Sequence, residues 1–316
     1  MTQLTIAPRG ESITFMGFPH TTDLDGLAAH VAIIGMPYGD PYSMEEVDND
    51  QSNGPTAVRR ASRRVSQNLD RWDFDIGGTV FDGQAIKVVD VGDVRADPRD
   101  LHGHFRRAEE AIRKILRVGA FPITIGGDHG IPIPIFRALA EQGPLTLVHL
   151  DAHLDWRDEV NGVKEGYSST IRRASEMPHI SAIYQIGIRG QGSAGAGEVE
   201  AARRYGAHIV TARELEDEGM KEILARIPEG GRYYLSIDAD GLDPSVMPAV
   251  GAPQPGGVTY RQTIDLIKGL TNKGRLIGLD LVEIMPARDL NDITSITAGH
   301  IILNVIGAAV RAGYFA

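Results

Sequence analysis

The run Leu145-Thr-Leu-Val-His-Leu150 is apolar on both faces of an extended chain, where a half-solvated strand would alternate. Only a strand covered by helices on both sides accepts that pattern, so the run points to a parallel sheet. Short β-branched runs of the same kind recur at 31–34, 87–91, 121–125, 183–188, 208–211, 233–237 and 276–281. Between them lie stretches of helical periodicity, at 105–118, 132–141, 197–205, 220–227 and 260–270, and a last one at 293–311 closes the chain. Strand–helix alternation of this kind predicts a three-layer α/β architecture. No internal repeat, low-complexity tract or long Ser/Pro linker divides the 316 residues, so one domain over 1–316 is expected. Two long irregular segments, 40–54 and 243–257, have the length of loops that serve a site.

Composition narrows the chemistry. There are no cysteines, which rules out disulfides, thiolate nucleophiles and sulfur-ligated metals; any metal must be held by nitrogen and oxygen. A net charge of −10 argues against a nucleic-acid partner and suits a small cationic molecule. Residues 1–12 have neither the basic nor the apolar region of a secretory leader. The longest apolar run, 301–310, is too short to span a bilayer and contains Asn304. A cytoplasmic protein with no membrane partner is expected.

Three of the strand runs end in metal-ligand residue types. They read Ile125-Gly-Gly-Asp-His129, His149-Leu-Asp151-Ala-His153-Leu-Asp155 and Ser236-Ile-Asp238-Ala-Asp240-Gly-Leu-Asp243-Pro244. Each lies at the carboxyl end of a buried strand, where ligands bind in open parallel sheets. Alternate residues of an extended chain point the same way, so Asp151, His153 and Asp155 converge, as do Asp238 and Asp240. With His129 they supply four carboxylates and two imidazoles. Four negative charges balance two divalent cations and would repel one another without them. Oxygen-rich ligation suits Mn²⁺ first, with Ni²⁺ as the alternative. Two such ions about 3.5–4 Å apart would share a water and lower its pKa.

Each piece alone has a plainer reading. Gly-Gly-Asp-His is often a strand-to-helix turn, and Asp-x-Asp before Gly is often a cap. His149 is read as facing away from Asp151, a structural strand histidine. His102 and His104, at i and i+2 near a helix start, diverge and are set aside. The coincidence of three ligand-rich strand ends favours metal.

At this point the residues resemble a known family. Gly126-Gly-Asp-His129, Asp151-Ala-His-x-Asp155 and Ser236-x-Asp-x-Asp-x-x-Asp-Pro244 are similar to the three signature motifs of the ureohydrolases, the arginase and agmatinase family. Further similarities are Gly54-Pro-x-Ala-Val-Arg59, Asp90-Val-Gly-Asp93, Gln185-Ile-Gly-Ile-Arg-Gly190, Pro253-x-Pro-Gly-Gly257 and Asp292-Ile-Thr-Ser295, nearest the agmatinase-like branch. The resemblance implies an α/β/α sandwich around an eight-stranded parallel sheet, assembled as trimers or hexamers. It implies hydrolysis of a guanidino carbon to urea and an amine. Asp151 and Asp238 match the bridging carboxylates, His129 and Asp155 complete one metal's shell, and His153 and Asp240 the other's. Glu283, in Gly278-Leu-Asp-Leu-Val-Glu283, matches the glutamate that grips the guanidinium, and a planar guanidinium does pair well with a carboxylate. Asp155 is expected to carry the proton towards the leaving amine.

Three departures bear on the substrate. Relatives carry histidine where this chain has Tyr167, whose phenol has an ordinary pKa of about 10 and is a poor relay near neutrality. Tyr167 is therefore a candidate for both catalytic and substrate-contact roles. The segment from Asp40 to Gly54 carries five carboxylates, either solvated or lining the cleft entrance. Gln254 stands where many relatives have glutamate or valine. Arg157 is the one candidate for reading a substrate carboxylate. These departures weaken agmatine, and arginine more, and leave open free guanidine, an alkylguanidine or a biguanide such as metformin. The alternatives are a non-catalytic or partner-dependent subunit of a hetero-oligomeric ureohydrolase, and a formiminoglutamate hydrolase; the assembly expected is a homo- or hetero-oligomer.

Overall fold

The computed structural model describes residue 6 and residues 13–316, apart from 48 and 98. The leader reading of residues 1–12, Ile6 apart, and Asp48 of the acidic loop fall outside the described residues.

Eight strands form one sheet: β1 (Val31–Met36), β2 (Val88–Asp93), β3 (Phe121–Gly126), β4 (Leu145–Leu150), β5 (Ile180–Ile188), β6 (His208–Thr211), β7 (Arg232–Asp238) and β8 (Arg275–Val282). Their order is β2-β1-β3-β8-β7-β4-β5-β6, and every pairing is parallel. All eight sequence-predicted strands are present. Successive residues of β1 serve opposite faces: Val31 and Ile33 join one apolar cluster, Ala32 and Ile34 the other.

Nine α-helices are seen among the described residues: α1 (Gly54–Ser62), α2 (Leu101–Arg117), α3 (Pro132–Ala138), α4 (Thr170–Ser175), α5 (Ala196–Tyr205), α6 (Ala212–Glu218), α7 (Met220–Arg226), α8 (Tyr260–Lys273) and α9 (Ile293–Arg311). Buried residues of α1, α6, α7, α8 and α9 pack on one face of the sheet, and those of α2, α3, α4 and α5 on the other. Three helices escaped the periodicity reading: α1, α4 and α6, of nine, six and seven residues. Barely two turns leave too few apolar positions to show a period. The segment Leu290–Arg311 is long and apolar enough to cross a membrane, but 78% of its tested window is buried inside the protein, as in a core helix.

The strand order decides where chemistry can occur. β3, β8, β7 and β4 are the four central neighbours, and His129, Glu283, Asp238 and Asp151 stand at or just beyond their carboxyl ends. Segments separated by more than a hundred residues therefore open onto one cleft.

Candidate metal centre

The turn after β3 is tight because glycine permits it. A Cβ on Gly127 would lie 2.5 Å from the Pro37 carbonyl oxygen, and one on Gly126 would lie 2.6 Å from Val282. Asp128 then closes a local turn by accepting from the Gly130 N–H at 2.9 Å, which leaves His129 buried over the sheet end. Ser236 Oγ donates to Asp280 Oδ1 at 2.7 Å and lies 3.1 Å from His129 Nε2. A hydroxyl with its proton committed can only accept from the imidazole, so Nε2 carries hydrogen. Nδ1 faces three carboxylates: Asp238 Oδ2 at 2.9 Å, Asp151 Oδ2 at 3.0 Å and Asp155 Oδ2 at 3.3 Å.

His153 forms the other half. Its Nδ1 is 3.2 Å from Asp240 Oδ2 and 3.4 Å from Asp151 Oδ1. The side chains His129, His149, Asp151 and Asp155 bring ligand atoms within 4.8 Å of one another, as do Asp151, His153 and Asp240; Asp151 belongs to both sets. All six predicted ligands are thus brought together.

His149 requires a correction. Residues two apart on a strand share a face, and His149 Nε2 lies 2.8 Å from Asp151 Oδ2, inside the cluster. Gln185 Nε2 donates to the Leu154 carbonyl and lies 3.3 Å from His149 Nδ1, so Nδ1 accepts and Nε2 carries the proton. His149 therefore turns a protonated nitrogen towards Asp151, close but not aligned as a hydrogen bond, instead of offering a lone pair to a metal. The parity of the strand was the signal that could have placed it.

Burial and crowding set the electrostatics of the cluster. Burial, with Asp151 close by, holds the Asp155 carboxyl well above its ordinary range, and burial with Asp240 and Asp151 does the same to Asp238. Burial and Asp151 push Asp240 up to about 7. Burial disfavours the imidazolium of His153, but Asp151 and Asp240 outweigh it and push that group up to about 12. Asp151 Oδ2, fully buried, has no hydrogen-bond partner despite two imidazole nitrogens within 3.0 Å. A crowd of acceptors pointing at one another, with an orphaned oxygen at its centre, fits divalent cations in its chemistry.

Backbone strain sits at the same place. Asp155 and Glu283 are non-glycine residues at φ 50° and 65°, a conformation that costs roughly 1–3 kcal/mol and persists where surroundings enforce it. The Asp155 carbonyl accepts from the N–H groups of Ile171 and Arg172 at the start of α4. Glu283 donates its N–H to the Gly127 carbonyl, and its Oε1 accepts from the His129 N–H at 2.7 Å. Burial first, then Asp238 and Asp128, pushes the Glu283 carboxyl up to about 8.

These groups line a cleft of about 350 Å³, with Glu46, Gln51, Tyr167 and Arg157 also in its walls. Tyr167 packs 4.6 Å from the Tyr42 ring, and burial together with Glu46 raises its phenol pKa further. Arg157 is about half-exposed, with Nε 3.9 Å from Glu198. Of the described acidic residues in the 40–54 loop, Glu46 alone lines the cleft; Asp50 instead accepts from the Ala287 N–H. His102 is exposed and His104 buried, on diverging directions of α2 as expected. Gln51, Ser236 and Asp280 are site residues to which motif reading gave no role, although Ser236 opens the third motif. Their roles were not readable locally, because Gln51 acts on a partner 232 residues away and Ser236 on one 44 away.

An all-parallel α/β sheet whose strand ends gather carboxylates and imidazoles in a cleft has the residues of a metal centre. A model of the arginase family matches residues 29–307. The chain is 33% identical over 306 residues to a guanidinobutyrase of Pseudomonas aeruginosa, covering 94% of this chain and 92% of that one. It is 32% identical to a mitochondrial agmatinase of Gallus gallus, over 93% and 84% of the two chains. The solved proclavaminate amidino hydrolase of Streptomyces clavuligerus superposes with a TM-score of 0.79 at 30% identity, over 97% of this chain and 100% of that one. The chain belongs to the arginase family. It is a hydrolase of carbon–nitrogen bonds in linear amidines.

Proposed function

We propose that this protein hydrolyses the guanidino group of a small cationic substrate to urea and an amine. Two divalent cations, Mn²⁺ or alternatively Ni²⁺, would be held by His129, Asp151, Asp155, His153, Asp238 and Asp240. When bound, such cations activate water for attack at neutral pH. The observation that carries the reading is Glu283: a buried carboxylate in the same cleft as the cluster, fixed through the His129 N–H at 2.7 Å. Its fork matches a guanidinium with two parallel hydrogen bonds. That pairing would hold the guanidinium in the cleft that the cluster also lines. Asp155, beside the cluster, would pass a proton towards the leaving amine.

The substrate in this reading is agmatine-like, a guanidino acid whose carboxylate Arg157 would meet, or an unusual small guanidine. Glu46 and Tyr167 give the mouth acidic and phenolic character, and Arg157 is the one arginine among the described residues lining it. Tyr167 acts as a substrate-contacting wall, since its pKa moves away from that of a neutral-pH relay. Free guanidine, alkylguanidines and biguanides such as metformin fit the last of these classes. Protein reconstituted with Mn²⁺ or Ni²⁺ and given a guanidino panel should release urea from these compounds. Robust agmatine turnover with none on small guanidines would refute the small-guanidine class, and formamide from formiminoglutamate would replace the reaction.

A further inference from the structure

Gln51 lies in the short turn Asp50–Asn53, just before α1. Its Nε2 donates to Glu283 Oε2 at 3.0 Å, across 232 residues of sequence. The other Glu283 oxygen already accepts from the His129 N–H. Each carboxylate oxygen is therefore held by one donor and keeps one lone-pair direction for a ligand. Gln51 Oε1 is buried and has no partner, in a residue that lines the cleft. With Nε2 committed to a carboxylate, this oxygen can only accept.

The turn that carries Gln51 is anchored on both sides. The Ser52 N–H donates to Asn49 Oδ1 at 3.1 Å, and Asp50 Oδ2 accepts from the Ala287 N–H at 2.8 Å. Ala287 lies shortly after Glu283, so both ends of the Gln51–Glu283 pair are tied to one rim. Gly251 closes the wall beside them: a Cβ there would touch Gln51 Nε2 at 3.5 Å and Glu283 Oε2 at 3.8 Å. Gln51 is thus held in place before any ligand arrives, which limits the ordering cost of binding.

We propose that Gln51 is the specificity-determining residue of the cleft: it positions Glu283 through Nε2 and accepts a substrate N–H through Oε1. This rests on the guanidino reading above and deepens it. The ligand class is a guanidinium or biguanide that presents one N–H more than the two gripped by Glu283. A buried acceptor left unmatched is costly, so a ligand that supplies the donor is selected over one that does not.

Calorimetric titration of the metal-reconstituted protein with guanidinium chloride and with methylguanidine tests this apart from turnover. In Gln51→Leu, of similar size, binding should weaken by roughly 10- to 100-fold, with the melting temperature and metal content unchanged. Gln51→Ala should show the same loss, so the result does not depend on the leucine fitting. Combined with Glu283→Gln, the Gln51→Leu loss should be smaller than in the wild-type background, because part of it acts through Glu283. Affinity within twofold of wild type in both Gln51 variants, full additivity in the double variant, or no guanidinium binding by the wild type would each overturn the proposal. Wild-type binding without urea release would sink the hydrolytic reading and leave the role of Gln51 to be judged by affinity alone.

Discussion

The backbone N–H of His129 donates to Glu283 Oε1 at 2.7 Å, joining residues 154 positions apart. One strand end thus supplies an imidazole to the cluster and, through its peptide, locks the carboxylate proposed to grip substrate. Distance between the reacting centre and the recognition group is fixed by backbone, which is stiffer than any pair of side chains.

Removing the Glu283 charge tests the recognition half. Glu283→Gln replaces a two-pronged ionic pair with one neutral acceptor, a loss of about 3 kcal/mol. Urea release should fall roughly 100-fold in kcat/KM, while bound metal, measured by elemental analysis, stays at the wild-type ratio.

Asp238 tests the cluster itself. Its Oδ2 lies 2.9 Å from His129 Nδ1, and its Oδ1 accepts from the Asp240 N–H at 2.8 Å. Asp238→Asn keeps the shape and removes the charge; metal content should drop and activity fall by roughly 1,000-fold or more. Wild-type turnover by this variant would contradict the assignment.

Metal uptake should be strongly pH-dependent. Without cations the cluster holds protons that ligation must displace, on Asp240 with a pKa of about 7 and on His153 at about 12. Cation binding therefore releases protons, and affinity rises with pH. Titrations of apoprotein in buffers of different ionisation enthalpy should report net proton release between pH 6 and 8. Chelation should lower the melting temperature, because the bound ions stabilise only the folded state.

His104 gives a stability prediction away from the cluster. It packs edge-on against Tyr38, and burial pushes its pKa down to about 4 from an ordinary 6.5. Between those values the unfolded chain binds more protons than the folded one, so stability rises with pH across the window. The contribution is complete above pH 6.5 and is lost as pH falls towards 4, about 3 kcal/mol in all. Urea denaturation of His104→Phe should show a correspondingly shallower loss over that range than wild type; parallel curves would contradict the buried neutral imidazole.

The strands were legible in sequence because burial on both faces writes a continuous apolar run, as in β4 and β8. The ligand clusters were legible because their spacing is local: Asp151, His153 and Asp155 come from one segment. α4 was not, since six residues carry too little pattern, yet its first N–H groups are what hold the strained Asp155 carbonyl.

Sequence by itself determined the parallel-sheet class, the six candidate ligand residues and the family they resemble, since each depends on residues close together in the chain. Tertiary structure alone decided that β3, β8, β7 and β4 are neighbours and that Gln51 reaches Glu283. Those relations depend on strand order and on contacts between distant segments, and no short window of residues encodes either.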